Sequence, residues 1–258
     1  MFEGALIIKE IVMSCEESLK YCSNCNVELR QKYINAVLNI DVEGLEHLLK
    51  TEPFERDMLD RLVPSLPKGC SILYIIQCWE IILADEWKGE YGEIIERRRK
   101  QNEKIKRIFI EKLQAEFNPI EWYIEPFYFY RKWDDDTVED ILDKTREELN
   151  ELGFCDLDID LYCAVCKFDF KETERLLKAG ANPNTNIDGE YDPEFDEEPE
   201  NCFDRIGREC DGLEFALLRD LIRGDEYVTS DYYRYLTDLV GLAAHKKMYS
   251  LLLEYDKE

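Results

Sequence analysis

The sequence predicts an all-α fold of stacked antiparallel helix pairs, and three observations support this prediction. Apolar residues recur at helical spacing in successive segments of the chain. Proline and glycine separate these segments, as at Pro119 and Gly180. Two distant stretches, Ala36–Lys50 and Ala164–Lys178, are identical at seven of fifteen positions when they are aligned without a gap. Because a helix pair needs a stacked neighbour to bury its apolar faces, this self-similarity indicates repeated units.

The N-terminal half, residues 1–117, contains the first of these stretches, which extends over Ile34–Lys50. Four other apolar or amphipathic segments predict helices here: residues 4–22, Phe54–Val63, Ser71–Glu86 and Ile94–Phe117. The last of them is basic, and its positively charged residues are Arg97, Arg98, Arg99, Lys100, Lys104, Lys106, Arg107 and Lys112. Such a helix contacts phosphates, docks acids of its own chain or forms a solvated face, and the solvated face is the commonest of the three.

A connector, residues 118–154, joins the two halves. Its first part is densely aromatic, with Trp122, Tyr123, Phe127, Tyr128, Phe129, Tyr130 and Trp133. Aromatic side chains fill seams between packed elements more often than they form an exposed partner patch, so we expect packing. One helix is predicted after Asp134, with Leu152 facing inward and Gly153 as its stop.

The C-terminal half, residues 155–258, contains the most regular stretch of the chain, Leu161–Asn184. Its periodicity predicts two short antiparallel helices that are separated at Asp169, and Gly180 stands where a left-handed C-cap is needed. The letters LLKAGANPN at its end resemble the end of an ankyrin repeat, and Ile34–Lys50 is similar to it as a second copy.

The resemblance implies an ankyrin-like α-solenoid with degenerate repeats and long insertions. Gly241–Glu254 resembles a degenerate terminal unit, and a separate helix is predicted before it over Asp231–Val240. Phe168 stands where such repeats usually have glycine between their helices. Turns between units and the adjacent inner helices form the usual partner surface of ankyrin-type proteins, so the resemblance implies protein binding.

An acidic insertion over residues 185–211 interrupts the C-terminal half, and the next helix is expected only after it. Its central part, Asp188–Glu200, has eight acidic residues and no basic one. Tyr191 and Phe195 stand between the carboxylates, where aromatic anchors suit a partner that the acids attract. We predict partner binding by nine residues: Asp188, Glu190, Tyr191, Asp192, Glu194, Phe195, Asp196, Glu197 and Glu198. The alternatives are a solvated loop and a calcium loop, although Pro193 stands where a calcium loop needs glycine.

The charge balance favours a basic partner. With Lys+Arg 33 and Asp+Glu 58, the formal net charge is -25 at pH 7, which disfavours nucleic acid and anionic membranes as direct ligands. We therefore predict a non-enzymatic module that binds a basic protein. The alternative is an inhibitor or immunity protein that mimics DNA charge and blocks a nucleic-acid-binding toxin or enzyme. No export signal or membrane span is evident, so we expect a cytoplasmic protein.

Catalysis and metal binding find little support in the sequence. His47 and His245 lie on charged stretches that we expect to face solvent, with no nucleophile or metal-ligand motif beside them. Without a phosphate-binding glycine loop or a dinucleotide motif, no enzyme activity, small-molecule substrate or cofactor is predicted. The Cys-x-x-Cys pairs Cys22/Cys25 and Cys163/Cys166 leave zinc or redox chemistry as a further alternative. Reduced core thiols are commoner in such a chain, and no metal is predicted.

Overall fold

The computed structural model of this chain is α-helical. It describes residues 27–54, 56, 59, 72–84, 92–117, 138–142, 144–187, 200–208, 210, 213, 217 and 232–256. Helices account for 77% of the described residues and none of these residues lies in a β-strand, which confirms the all-α prediction for this part of the chain. The predicted helix at residues 4–22 and the aromatic run Trp122–Trp133 lie outside the described residues.

Backbone contacts divide the chain into two compact units. The first unit is Met1–Glu125 with Arg219–Val240, and the second is Pro126–Leu218 with Gly241–Glu258. Each unit has its own buried apolar side chains.

In the first unit, four helices pack as two pairs. They are α1 (Val27–Leu38), α2 (Val42–Thr51), α3 (Ile72–Ile82) and α4 (Gly92–Leu113). Both α1 and α4 pack against α2 and against α3. The largest side chains that these helices bury completely are those of Tyr33, Trp79 and Phe109. These side chains lie in the apolar core of the first unit, and Phe109 belongs to the apolar face that helical spacing indicates for α4.

Helix α4 ends at Leu113 and not at the predicted Phe117. Gln114 has a left-handed backbone with φ 50°, and the N–H of Ala115 donates to the Phe109 carbonyl at 3.0 Å. This bond satisfies one of the last carbonyls of the helix and turns the chain away from the helix axis. Apolar spacing continues past Leu113, so periodicity alone overestimated the length of this helix.

In the second unit, helices α5 (Val138–Leu142), α6 (Arg146–Glu151), α7 (Asp156–Cys166) and α8 (Phe170–Ala179) surround one apolar cluster. Helix α7 packs against all three of the others. The segment 202–208 is also helical. It contributes Cys202 and Ile206 to the cluster, and the last helix, α9 (Tyr232–Glu254), contributes Met248 and Leu252.

Two short helices replace the single helix predicted after Asp134. Thr145 begins the second of them through a reciprocal capping box, because its side chain accepts from the Glu148 N–H and the Glu148 carboxylate accepts from the Thr145 N–H. Gly153 is left-handed with φ 97°, which confirms it as the stop. Leu152 was predicted to face inward and is 63% exposed, because the helix ends at Glu151 and Leu152 is its C-cap residue.

The pairs α1/α2 and α7/α8 share the same turn. Ile40 and Phe168 both have left-handed backbones, with φ 53° and 52°. The next residue, Asp41 or Asp169, donates its N–H to the carbonyl five residues earlier, at 2.8 and 3.0 Å. Each of these aspartates also N-caps the following helix. Gly180 ends α8 with φ 100°, as predicted.

Helix α9 is continuous, which corrects the predicted separation of Asp231–Val240 from a terminal unit at Gly241–Glu254. Gly241 lies inside this helix and is not a break. A Cβ atom added at Gly241 would lie 3.6 Å from Leu213 Cδ1, which is an ordinary contact distance. Glycine weakens a helix but does not end one unless its backbone becomes left-handed, and the sequence does not reveal that choice.

Candidate partner-binding groove

The acidic residues predicted to bind a partner lie outside the described residues, but both flanks of their segment are described. The Ile187 N–H donates to the Glu200 carbonyl at 3.0 Å, and the Cys202 N–H donates to the Pro183 carbonyl at 3.2 Å. Ile187 and Cys202 are buried in the apolar cluster of the second unit. The acidic segment therefore leaves and rejoins this core at one place.

Residues 202–208 form a helix within the predicted insertion 185–211, which corrects the prediction that the next helix follows the insertion. Asn201 caps this helix, since its side-chain oxygen accepts from the N–H groups of Phe203 and Asp204 at 2.8 and 3.0 Å. The Asp204 carboxylate accepts in return from the Asn201 N–H at 3.2 Å. This Asn-x-x-Asp pattern is a capping signal that the sequence reading missed.

An open groove lies beside the end of the acidic segment. It has a volume of about 400 Å³ and is lined by Glu200, Phe203, Asp204, Gly207, Arg208 and Tyr249. Phe203 and Tyr249 pack edge to face, with their ring centres 5.4 Å apart. Tyr249 is 38% exposed, and Leu253, one turn further along α9, is 51% exposed. The groove thus places large apolar side chains at the surface beside carboxylates.

Glu200 is the last acid of the acidic segment, and it forms an ion pair with Arg208 across the groove. Its side chain is 16% exposed, whereas Arg208 remains mostly exposed. Together with Asp204, the groove has two carboxylates for one guanidinium. The lining is therefore negative overall, like the segment that adjoins it.

The basic helix α4 combines two of the three interpretations that the sequence left open: it docks acids of its own chain, and it has the predicted solvated face, on which exposed basic side chains pair with Glu96 of the same helix. Lys106 forms an ion pair with Glu80 of α3, and the Nζ atom of Lys112 lies 3.7 Å from Oε1 of Glu46 in α2. Arg98 donates to the Asn39 carbonyl at 3.0 Å. These contacts hold α4 against its neighbours in the first unit.

The positions of the described Cys-x-x-Cys pair agree with the interpretation that these cysteines are reduced thiols in the core. Cys163 and Cys166 are buried on α7, and Cys202 is buried in the same cluster. Burial raises the pKa of the Cys202 thiol, so the reactive thiolate is disfavoured. Cys22 and Cys25 lie outside the described residues. Within the described ranges, no group of His, Cys, Asp and Glu side chains has the arrangement of a metal site.

The prediction that both histidines face solvent is right for His47 and wrong for His245. His245 is 7% exposed, its Nδ1 lies 2.8 Å from the Gly241 carbonyl, and its ring packs edge to face on Phe168 at 4.6 Å. Nearby, burial lowers the pKa of Lys247 to about 8, and its ammonium lies 5.3 Å from the Phe170 ring centre. These groups pack α9 against the turn between α7 and α8.

Comparisons with protein-family models, with curated proteins and with solved structures found no match to this chain. Among the described helices, none is both long enough and apolar enough to cross a bilayer. The groove residues Phe203, Gly207 and Tyr249 were not predicted from the sequence. Phe203 and Gly207 lie on one short helix, whereas Tyr249 is more than forty residues further along the chain, and only the packing of segment 202–208 near α9 brings the three together.

Proposed function

We propose that this chain is a non-enzymatic interaction module that binds a basic protein through its acidic segment and the adjacent groove. The observation that supports this most directly is the bond between the Ile187 N–H and the Glu200 carbonyl. It attaches the segment Asp188–Glu200, with its eight acids, to the buried core beside two aromatic side chains in contact, the half-buried Phe203 and the exposed Tyr249. Acids that attract a partner and apolar side chains that retain it are the two parts of a charge-steered interface.

We further propose an ankyrin-like repeat arrangement, with α1/α2 and α7/α8 as two copies of one unit. Support comes from their shared left-handed residue, their shared aspartate cap and the packing of α1/α2 against α3/α4. In this arrangement the acidic segment follows the end of a repeat, where insertions are tolerated and binding surfaces form.

The charge of the whole chain supports the choice of partner. At -25, the protein attracts a basic partner over about a Debye length and repels polyanions. Steering of this kind raises association rates by roughly 10- to 1,000-fold, and salt removes the effect. We therefore expect the complex to weaken steeply as ionic strength increases.

The test is affinity capture from lysate, with three forms of the tagged chain compared at low and at physiological salt. The first is wild type. In the second, the seven predicted acidic contacts, Asp188, Glu190, Asp192, Glu194, Asp196, Glu197 and Glu198, become Asn or Gln. The third is a matched control with the same charge change, in which seven exposed glutamates elsewhere become Gln: Glu43, Glu103, Glu111, Glu116, Glu147, Glu151 and Glu254.

We expect wild type and the control to retain one basic protein that the segment variant loses. Equal loss from both variants would mean that net charge alone attracts the protein, which would remove the segment from the interface. Equal retention by all three would assign binding to another surface. Failure of wild type to retain any basic protein would refute the proposed function.

A further inference from the structure

We propose that the groove between segment 202–208 and α9 receives an apolar side chain from a Lys/Arg-rich segment of the partner. This inference rests on the proposed function and assigns the partner a specific chemistry, a basic peptide with one aliphatic or aromatic anchor. The acids then attract the peptide, and the groove sets which of its residues is held.

The groove provides an apolar surface of the right kind. The Phe203 and Tyr249 rings meet edge to face, which leaves ring surface of Tyr249 open to solvent. Leu253 lies one helical turn beyond Tyr249 on α9 and continues the apolar strip. Other apolar side chains of α9, such as Met248 and Leu252, are fully buried, so the exposure of Tyr249 and Leu253 marks one face of this helix.

The charges at the groove favour a basic segment over an acidic one. Glu200 and Asp204 line the groove, and Glu200 engages its one guanidinium, that of Arg208. A cation next to the bound apolar side chain would lie near the exposed Asp204 carboxylate or over the Tyr249 ring. A carboxylate at the same place would be repelled.

The shape of the groove favours a peptide side chain over a small molecule. Its volume of about 400 Å³ is sufficient for one or two side chains, and it is open to solvent along its length. Small-molecule sites usually enclose most of their ligand, and this groove does not. A peptide that lies across the groove needs only to bury one anchor, because the rest of its binding comes from its cations.

Gly207 gives a direct way to close the groove. A Cβ atom built at Gly207 has no neighbour within 4 Å among the described residues, so a larger side chain at this helical position has room to extend over the groove. Gly207→Trp should fill the groove without disturbing the cluster beneath it. Gly207→Ala is the matched control, because it makes the same backbone change and leaves the groove open.

The experiment uses two fluorescein-labelled peptides rich in Lys and Arg that differ only in a central Leu or Gly. Fluorescence anisotropy measures their affinity for the full-length wild type, Gly207→Ala, Gly207→Trp and the segment variant with neutralised acids. Wild type and Gly207→Ala should bind the Leu peptide about tenfold more tightly than the Gly peptide. Gly207→Trp should bind both with the weaker affinity, and thermal unfolding should show that all variants fold.

The outcomes separate the inference from the function on which it rests. If wild type binds both peptides equally, or if Gly207→Trp still prefers Leu, the groove is not the anchor site, although a basic partner remains supported. If wild type binds neither peptide, the basic-partner function itself fails. If the segment variant loses both peptides while Gly207→Trp loses only the preference for Leu, both proposals are supported.

Discussion

The N-cap of α2 allows a prediction in which one substitution, Gly44→Ala, destabilises the wild-type protein but stabilises a variant that lacks the capping side chain of Asp41. The Asp41 side chain accepts from the Gly44 N–H at 2.9 Å. A Cβ atom at Gly44 would lie 2.1 Å from Asp41 Oδ2, so an alanine at this position forces the carboxylate to move. Gly44→Ala should therefore remove the cap while it improves the helix propensity of α2.

The expected free energies follow from these two opposed effects. Loss of the cap costs about 1 kcal/mol, and replacing a helical glycine by alanine gains about 0.5 kcal/mol. Asp41→Ala should thus destabilise the protein by about 1 kcal/mol, and Gly44→Ala by about 0.5 kcal/mol. In the Asp41→Ala background the same Gly44→Ala change should stabilise by about 0.5 kcal/mol, since no cap remains to be lost.

Urea unfolding of the four proteins, followed by far-UV circular dichroism, measures this cycle. Asp169 caps α8 in the same way beside Glu172, whose side chain already has a Cβ atom. If Asp41 can adopt the conformation that Asp169 uses, the cap survives and Gly44→Ala stabilises the wild-type protein as well. The reasoning from the close approach of a Cβ atom at Gly44 to Asp41 would be refuted if the free-energy changes of Asp41→Ala and Gly44→Ala are additive, or if Gly44→Ala stabilises the wild-type protein.

Three further predictions concern the second unit and α9. Gly241→Ala should stabilise the protein by about 0.5–1 kcal/mol, because the added methyl meets Leu213 at ordinary contact distance; urea unfolding measures the change. Thr173→Val should raise the urea midpoint, because the buried Thr173 hydroxyl has no hydrogen-bond partner among the described residues and the first helix pair has Leu45 at this position. Burial lowers the pKa of Lys247 from 10.5 to about 8. Between about pH 8 and pH 10.5 the unfolded chain therefore binds more protons at this residue than the folded chain does, so the free energy of unfolding should increase with pH in this range. Lys247→Met should abolish that increase when urea midpoints are compared across this pH range; an unchanged slope would contradict the assignment.

The helix pairs could be predicted because their signals are local. Asp169 separates the two helices and Gly180 is the left-handed stop, both as predicted, although the N-cap that Asp169 forms for α8 was not predicted. The left-handed residues Ile40, Phe168 and Gln114 could not be predicted, since such side chains disfavour that conformation and only tertiary packing imposes it. The end of α4 at Leu113 was missed for this reason.

The candidate site was only partly predictable. The acidic segment is evident from composition, whereas its attachment through Ile187 and the groove beside Tyr249 depend on contacts between distant parts of the chain. His245 shows the same limit. Its charged neighbours suggested a solvent-facing position, but its hydrogen bond to Gly241 and its contact with Phe168 bury it.

The closing bond between Ile187 and Glu200 makes the acidic segment an exchangeable cassette. Because Ile187 and Cys202, which flank the segment, belong to the core of the second unit, its length and composition can change without a change in the helices. For a flexible loop, each doubling of length costs only about 0.6 kcal/mol of closure entropy. Descendants of this chain could therefore acquire new binding specificity at this point, and a foreign recognition sequence could be grafted between the same two residues.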